Sequence, residues 1–280
     1  MNGNFKHNGA MKMKRYSMIR GRISGAAGLL WVLLLCSTAV VQAAYVVTTQ
    51  GQRVDGTDIR ARANGEIILT TPQGTRTFYP GQYVKAVADK PAEVDRAAQL
   101  VAAKRFDDAI KLLEEVVSKY RFLDWDNQAR VMIAVAQGGK GDHVAAVSTY
   151  EKLFAANPKS REEGDIAWAY RQAMLDAKQF DKLESQLREV IASGSRTDAA
   201  RAQVMRGDIN MAQSQVELAA MDYLRTVVLF KAEKAVQPDA LMKAADALEK
   251  LRDARAKDMY RMLVEEYPAS PQAQAAKGKI

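Results

Sequence analysis

Cysteine and histidine are nearly absent from this 280-residue chain. Cys36 is the single cysteine, and His7 and His143 are the two histidines. Because Cys36 and His7 lie within the first 43 residues, the rest of the chain offers no disulfide, no thiol nucleophile and no multi-histidine metal site. A Ser-His-Asp triad would have to be built on His143. The composition therefore argues against an enzyme, and we predict no catalytic, cofactor-binding or metal-binding residues.

Acidic residues are missing from residues 1–43, although six Lys and Arg residues occur there. An apolar run at residues 26–41 follows, and the segment ends in Val41-Gln42-Ala43. This order is typical of a secretory signal peptide, so we predict export to the periplasm or cell envelope after cleavage near Ala43. The run is shorter than the roughly 20 residues that a membrane-spanning helix needs. An uncleaved N-terminal helix that anchors the protein is the alternative.

An excess of one charge is also missing once residues 1–43 are set aside. The chain has 41 Lys plus Arg and 33 Asp plus Glu residues. Without the six basic residues of the leader, 35 basic residues face 33 acidic residues, a net charge of about +2. A nucleic-acid-binding surface needs a basic excess to contact phosphates. We therefore do not expect nucleic acid as a partner.

Residues 44–89 have the pattern of a small antiparallel β-module, of hairpin or barrel-like form. Runs of β-branched and aromatic residues alternate with short turns, and Asn64-Gly65 separates two such runs. Asn-Gly in this position strongly predicts a β-hairpin, and the spacing of the turns predicts four or five strands. Such a short segment is near the lower size limit for independent folding. We therefore expect the module to pack on the segment that follows it.

Residues 90–280 show helical periodicity and an internal repeat of about 37 residues. In each copy a first position, usually small, is followed by a large apolar residue at +4 and a third position at +7, which share one helix face. These positions are Ala109, Leu113 and Val116; Ala146, Tyr150 and Leu153; Leu183, Leu187 and Val190; Ala219, Tyr223 and Thr226; and Ala256, Tyr260 and Leu263. Another helix is predicted before each copy, at residues 93–104, 125–137, 162–177, 197–211 and 239–251. The pattern predicts about five helical hairpins and a capping turn at residues 271–277.

The second of these hairpins carries the clearest motif. Gly141, Ala146, Tyr150, Leu153 and Asn157-Pro158 resemble the second half of a tetratricopeptide repeat. Residues 104–110 and 258–270 resemble the same motif, the latter in a form common in exported bacterial envelope proteins. The resemblance implies a mainly α fold, a right-handed α-solenoid of tetratricopeptide-like hairpins. The preceding module, with its Gly-x-x-x-x-Gly segment at residues 51–56, resembles β-modules found before such repeats in exported bacterial proteins.

Several local patterns could be functional, but most are explained better by structure. His143 occupies a position that packs in this repeat class. Residues 138–142 lack the order of a phosphate-binding loop and do not follow a strand, so we predict a hairpin turn there. Adjacent glutamates such as Glu114-Glu115 point in different directions on a helix and should face solvent. The best candidate for partner binding is the pair Trp168 and Arg171, because Arg171 lies beside Trp168 on the less apolar face of one helix.

The expected function follows from the expected shape. Stacked hairpins form an extended surface that suits protein or peptide partners better than small substrates. Together with export, this predicts a non-catalytic interaction scaffold or adaptor in the bacterial cell envelope, for which an envelope membrane complex is a further candidate partner. The alternatives are a structural or self-assembling envelope component, or an assembly or chaperone factor for outer-membrane or secretion machinery. The oligomeric state is left open.

Overall fold

The computed structural model describes residues 44–162 and 164–280. The predicted signal peptide, residues 1–43, lies outside the described residues. Within them, six strands precede eleven α-helices, which confirms the expected fold class of a mainly helical chain with a small antiparallel β region before it. None of the helices in the described ranges combines the length and the apolar character that a membrane crossing requires.

The β region consists of two three-stranded antiparallel sheets with strand orders β2-β1-β6 and β3-β4-β5. Its strands are β1 (Tyr45–Thr48), β2 (Arg53–Asp55), β3 (Asp58–Ala61), β4 (Ile67–Thr71), β5 (Gly74–Phe78) and β6 (Tyr83–Val87). Alternate side chains of β4 enter the core, where Ile67 and Leu69 are buried. The predicted hairpin at Asn64-Gly65 is confirmed, because β3 pairs with β4 around it and Gly65 has a φ of +86°.

Gly56 is the point at which the chain passes from one sheet to the other. Its backbone N–H donates to the carbonyl oxygen of Ala44 beside the first sheet, whereas the N–H of Thr57 donates to the carbonyl oxygen of Thr70 in the second. A Cβ atom at position 56 would lie 2.4 Å from that Thr70 oxygen. The close approach requires glycine. Because the chain crosses between the sheets here, residues 53–61 form two strands, β2 and β3, instead of one. The described residues therefore contain six strands, and the prediction of four or five was too low.

The β region packs on the helical part, as its small size predicted. Leu123, which lies just before α3, is buried in the same cluster as Val46 and Ile67. The indole Nε1 of Trp125 donates a hydrogen bond of 2.8 Å to the carbonyl oxygen of Ala88. The β core is thus completed by side chains from the helical segment. The exact division at residues 89 and 90 stays a prediction.

The helices form five consecutive hairpins and a terminal cap. They are α1 (Ala92–Ala102), α2 (Phe106–Lys119), α3 (Trp125–Lys140), α4 (His143–Ala156), α5 (Gly164–Asp176), α6 (Phe180–Ser193), α7 (Arg196–Ala212), α8 (Val216–Leu229), α9 (Gln237–Lys250), α10 (Arg255–Glu266) and α11 (Pro271–Ala276). A 3-10 helix, Pro158–Arg161, precedes α5. Side-chain caps begin two of the helices that the repeat predicts: Asp142 accepts from the N–H of Ala145, and Ser195 accepts from that of Asp198.

The repeat positions form the interior of the array. Of the fifteen side chains, all are buried except Val190, which is partly buried. The glycine-rich stretch at residues 138–141 departs from its prediction as a turn, because α3 continues to Lys140 and only Gly141 turns. Gly139 lies inside the helix, and the ring of Phe106 packs so close to it, 2.7 Å from the place that a Cβ atom would occupy, that a larger residue would force this ring to move.

The turn inside each hairpin has the same backbone geometry although its sequence varies. Lys104, Gly141, Lys178, Ser214 and Arg252 follow α1, α3, α5, α7 and α9, and each has a positive φ between 57° and 91°. In every turn the next residue donates its backbone N–H to a carbonyl five residues earlier. This is a Schellman motif, which satisfies the last carbonyls of a helix. Backbone hydrogen bonds therefore close all five hairpins without a common side chain.

Candidate protein-binding groove

The first helices of the last three hairpins, α5, α7 and α9, line a groove of about 650 Å³. The repeat explains its position: Ala169, Met205 and Lys243 each lie nine residues before the positive-φ turn residue of their hairpin, and all three line the groove together with Trp168. Val204 and Val236 add apolar surface. The volume falls within the range of about 300–1,000 Å³ that is usual for ligand pockets. The groove is thus an amphipathic surface formed by several repeats.

Trp168 is held rigidly in the wall of this groove. Only 7% of the residue is exposed, and its Nε1 donates a 3.1 Å hydrogen bond to Oδ1 of Asp198. The hydroxyl of Ser195 donates to the other carboxylate oxygen of Asp198 at 2.6 Å. This hydrogen bond is the main cause that lowers the pKa of Asp198. The carboxylate therefore stays ionised and fixes the indole, which makes Trp168 part of the wall rather than a freely exposed anchor.

Arg171 contacts Trp168 but does not line the groove. Its Cζ lies 4.8 Å from the centroid of the Trp168 ring. Burial lowers the pKa of Arg171, and its Nε is enclosed without a hydrogen-bond partner among the described residues. The structure therefore brings the two predicted partner-binding residues together, with Trp168 in the wall of the groove and Arg171 outside it. Their role in binding stays a prediction.

The opposite wall of the groove carries a cluster of one cation and two carboxylates. Lys243 Nζ lies 2.8 Å from a carboxylate oxygen of Asp208 and 3.1 Å from one of Asp239. Burial acts to lower the pKa of Lys243, but the two carboxylates outweigh this effect and raise it. Tyr223 also donates to Asp208 at 2.8 Å. Because Lys243 contacts both carboxylates, each charged group of this cluster has an ionic partner, and together they form this wall of the groove.

Arg201 is the second cation of the groove, and no carboxylate of the described residues is in direct contact with it. It is exposed, and its Cζ lies 4.3 Å from the centroid of the Trp168 ring. Within the described ranges the guanidinium makes no hydrogen bond or ion pair. An arginine stacked on an aromatic ring is pre-oriented for hydrogen bonding to carboxylates or carbonyl groups. Arg201 can therefore bind a polar group of a partner beside the apolar surface of Met205 and Val236.

The other residues considered in the sequence analysis lie where their role in the fold or in contact with solvent explains them. His143 is half-buried at the start of α4, and its Nδ1 lies 3.9 Å from a carboxylate oxygen of Asp176. Glu114 and Glu115 are exposed on α2, as predicted. In residues 44–162 and 164–280, no group of three or more His, Cys, Asp and Glu side chains is arranged to hold a metal ion.

The sequence pattern did not indicate that Met205, Arg201 and Lys243 line a groove. A signal was present for two of them, because Met205 lies 36 residues after Ala169 and Lys243 lies 38 residues after Met205, the same spacings that separate the turn residues of these hairpins. The period was evident in the second helix of each hairpin, where packing requires particular side chains. It was weak in the first helices, whose groove-facing side chains differ between repeats.

Comparisons with known proteins agree with this geometry. Residues 239–270, which include most of α9 and all of α10, match the family model of the tetratricopeptide repeat. The fifth hairpin thus resembles a tetratricopeptide repeat in sequence as well as in structure. No curated protein matches the sequence of the whole chain.

Solved structures with repeats of this kind are similar to the helical part. A putative kinesin light chain of Podosopora anserina with nearly identical TPR-like repeats has a TM-score of 0.50 and 17% sequence identity, covering 64% of this chain and 96% of its own. MamA from Desulfovibrio magneticus RS-1, from residue 41 to its end, has a TM-score of 0.45 and 17% identity, covering 64% and 95%. YrrB, described as a TPR protein with an unusual peptide-binding site, has a TM-score of 0.40 and 15% identity, covering 66% and 90%. The first similarity supports a tetratricopeptide-like fold for this chain.

Proposed function

We propose that this chain is a non-catalytic scaffold that binds segments of other proteins in the groove between α5, α7 and α9. The observation that carries the proposal is the repeat-built groove, whose wall includes the largely buried Met205 and Val236 beside an exposed Arg201 that forms no hydrogen bond or direct ion pair with described residues. Side chains of this kind bind extended or helical peptides through apolar contacts and a few oriented hydrogen bonds. The tetratricopeptide match of the fifth hairpin supports the same class of function.

Peptide binding should depend on Arg201. Peptides selected from a random library on the purified protein should lose about tenfold or more in affinity when Arg201 is replaced by Glu. The change replaces the cation at this position of the groove by an anion, and because Arg201 is exposed it should leave the fold intact. Isothermal titration calorimetry measures the affinities, and circular dichroism checks the fold.

A matched control is available on α6. Arg188 is also exposed but does not line the groove, so Arg188→Glu applies the same charge change elsewhere. The proposal requires the selected peptides to bind the Arg188 variant as they bind the unaltered protein. Equal losses in both variants would show that net charge rather than the groove governs binding, and the absence of any selected peptide would refute the proposal.

We also propose that the scaffold acts as an adaptor in the periplasm or cell envelope of a bacterium. The support is the order of basic, apolar and small residues in positions 1–43. Amino-terminal sequencing of the protein purified from a fractionated bacterial cell tests this. A periplasmic protein that begins at Ala44 is expected. A membrane-bound protein that retains residues 26–41 would instead support the anchored form, and a cytoplasmic full-length protein would contradict export.

A further inference from the structure

A second cavity of about 490 Å³ lies against α5, on the side opposite the groove. Ala167, Tyr170 and Arg171 line this cavity, whereas Trp168 and Gln172 line the groove. At about 100° per residue the two sets are centred on different faces of the helix, and Trp168 and Arg171, roughly 60° apart, lie at the boundary between them. The cavity is completed by α4, α6 and the 3-10 helix that ends at Arg161. It is therefore a separate site from the groove.

Cations predominate in the lining of this cavity. Arg161, Arg171 and Lys182 face two carboxylates, Glu151 and Glu189. Glu151 is already engaged, because it pairs with Lys182 and accepts a 3.2 Å hydrogen bond from the hydroxyl of Tyr170. The hydrogen bond from Lys182 is the main cause that lowers the pKa of Glu151, so this carboxylate stays ionised. Glu189 is exposed on α6 and forms no ion pair with described residues.

Two guanidinium groups of this lining have no carboxylate of the described part of the chain in direct contact, because Glu151 acts on Arg161, and Asp198 on Arg171, only as charges at a longer distance. Neither Arg161 nor Arg171 makes a hydrogen bond or an ion pair to any residue that the structure describes. Arg161 lies over the ring of Phe154, with 5.4 Å between Cζ and the ring centroid. The Nε of Arg171 is enclosed and unbonded, so further hydrogen bonds to this guanidinium have to come through its terminal nitrogens. A half-buried guanidinium without hydrogen bonds is costly, and a carboxylate is the anion that fits its planar geometry best.

Aromatic rings beside these cations indicate what carries the carboxylate. Phe154 and Tyr170 pack edge to face, with 5.1 Å between their centroids and an interplanar angle of 84°. Both line the cavity. Such a wall favours an apolar group next to the anion, whereas a small inorganic anion would leave it uncovered.

We propose that this cavity binds a carboxylate of a partner peptide, carried next to an apolar side chain. The proposal rests on the peptide-binding function proposed above and assigns a second contact point for the partner, on the face of α5 that Arg171 occupies. The carboxylate can belong to an acidic side chain or to the end of the partner chain, and both provide the same pair of oxygens to Arg161 and Arg171.

The test uses three synthetic peptides and the purified full chain. The first, acetyl-Gly-Phe-Glu-Phe-Gly-amide, carries one side-chain carboxylate, and its counterpart with Gln in place of Glu carries none. The third, acetyl-Gly-Gly-Phe, carries a free terminal carboxylate. We expect the Glu peptide, the Phe-terminated peptide or both to bind at least about tenfold more tightly than the Gln peptide. Whichever carboxylate peptide binds identifies the source of the anion.

Charge-removing variants locate the binding. Arg161→Gln and Arg171→Gln should each weaken binding of the carboxylate peptide by at least about fivefold and leave the Gln peptide unaffected. Arg188→Gln, on the exposed face of α6, should change neither affinity. The Arg Nε–Hε signals in a nitrogen-15 NMR spectrum of the unaltered protein provide a second readout that does not depend on the folding of a variant. The signal of Arg171 should shift on addition of the carboxylate peptide.

Specific outcomes would overturn this proposal. Equal affinities of the Glu, Gln and Phe-terminated peptides would exclude carboxylate recognition, as would carboxylate binding that Arg171→Gln does not weaken. Displacement of the peptide by equimolar inorganic phosphate would show a general anion site instead. If library-selected peptides still depend on Arg201 while these peptides fail to bind, the cavity proposal fails alone. If neither set binds, both proposals fail.

Discussion

Replacing Asp222 by Ala should lower the free energy of unfolding by about 3 kcal/mol, because a buried carboxylate that binds two arginines would be removed. Asp222 is 3% exposed on α8. Its carboxylate oxygens accept from Arg206 at 2.6 and 3.1 Å, from Arg225 at 2.8 Å, from Gln203 at 2.9 Å and from Asn210 at 2.9 Å. Both arginines reach solvent, so water can replace part of their loss, but the amide of Gln203 is buried.

Urea unfolding followed by circular dichroism measures this change, and an exposed ion pair provides the control. Asp258 and Arg261 form an i,i+3 pair at 2.9 Å on the surface of α10, with about half of each side chain exposed. Asp258→Ala should change the unfolding free energy by less than about 0.5 kcal/mol. Similar effects for the two variants would show that the Asp222 network does not stabilise the contact between α7 and α8.

Gly207→Ala should destabilise the protein by about 2 kcal/mol, although Ala normally favours a helix. Gly207 lies inside α7, and a Cβ atom there would be 2.4 Å from Cε1 and 2.7 Å from Cδ1 of Tyr223. The ring cannot easily move, because Tyr223 is 2% exposed and its hydroxyl is bonded to Asp208. The added methyl group would therefore separate α7 from α8.

The same substitution at Gly138 should have the opposite sign. Gly138 is also helical, but no atom lies within 4 Å of the place that its Cβ would occupy. Gly138→Ala should stabilise the protein by about 0.5–1 kcal/mol through helix propensity alone. Thermal unfolding of both variants under one set of conditions compares them. A Gly207→Ala variant that also gains stability would mean that Tyr223 moves at little cost.

The interior of the helical array could be predicted because packing repeats. Ala109, Ala146, Ala219 and Ala256 mark the second helix of four hairpins, and the large apolar residue four positions later follows in each case. The burial of these residues depends on local helical geometry, which the periodicity of a single sequence contains. The fold class followed from them directly.

Other features depend on tertiary contacts that the periodicity of the sequence does not reveal. Asp222 is a charged residue on a helix of the array, and its burial is explained by its partners on α7 and by Arg225 on α8. Gly138 and Gly139 have turn-forming composition, but both are helical, and the Phe106 ring packs against Gly139. The crossing of the chain at Gly56 depends on the backbone of β4, which approaches from a different part of the sequence.

The candidate site was predicted in part. Trp168 and Arg171 were recognised as neighbours, and their ring and guanidinium are in contact. That Trp168 lines the groove and Arg171 the cavity depends on where α4, α6 and α7 pack, so the two sites could not be separated from the sequence. Arg161 and Arg201 come from other elements and become relevant only in three dimensions.

The hairpin turns have a consequence for how such a chain can change over time. Four of the five left-handed turn positions hold Lys, Ser or Arg rather than Gly, and the backbone alone forms the hydrogen bonds that close each turn. These corners can therefore hold different side chains that accept a positive φ, whereas β-branched residues would strain the turn. The sequence at the corners can thus change while the stacked helices stay the same.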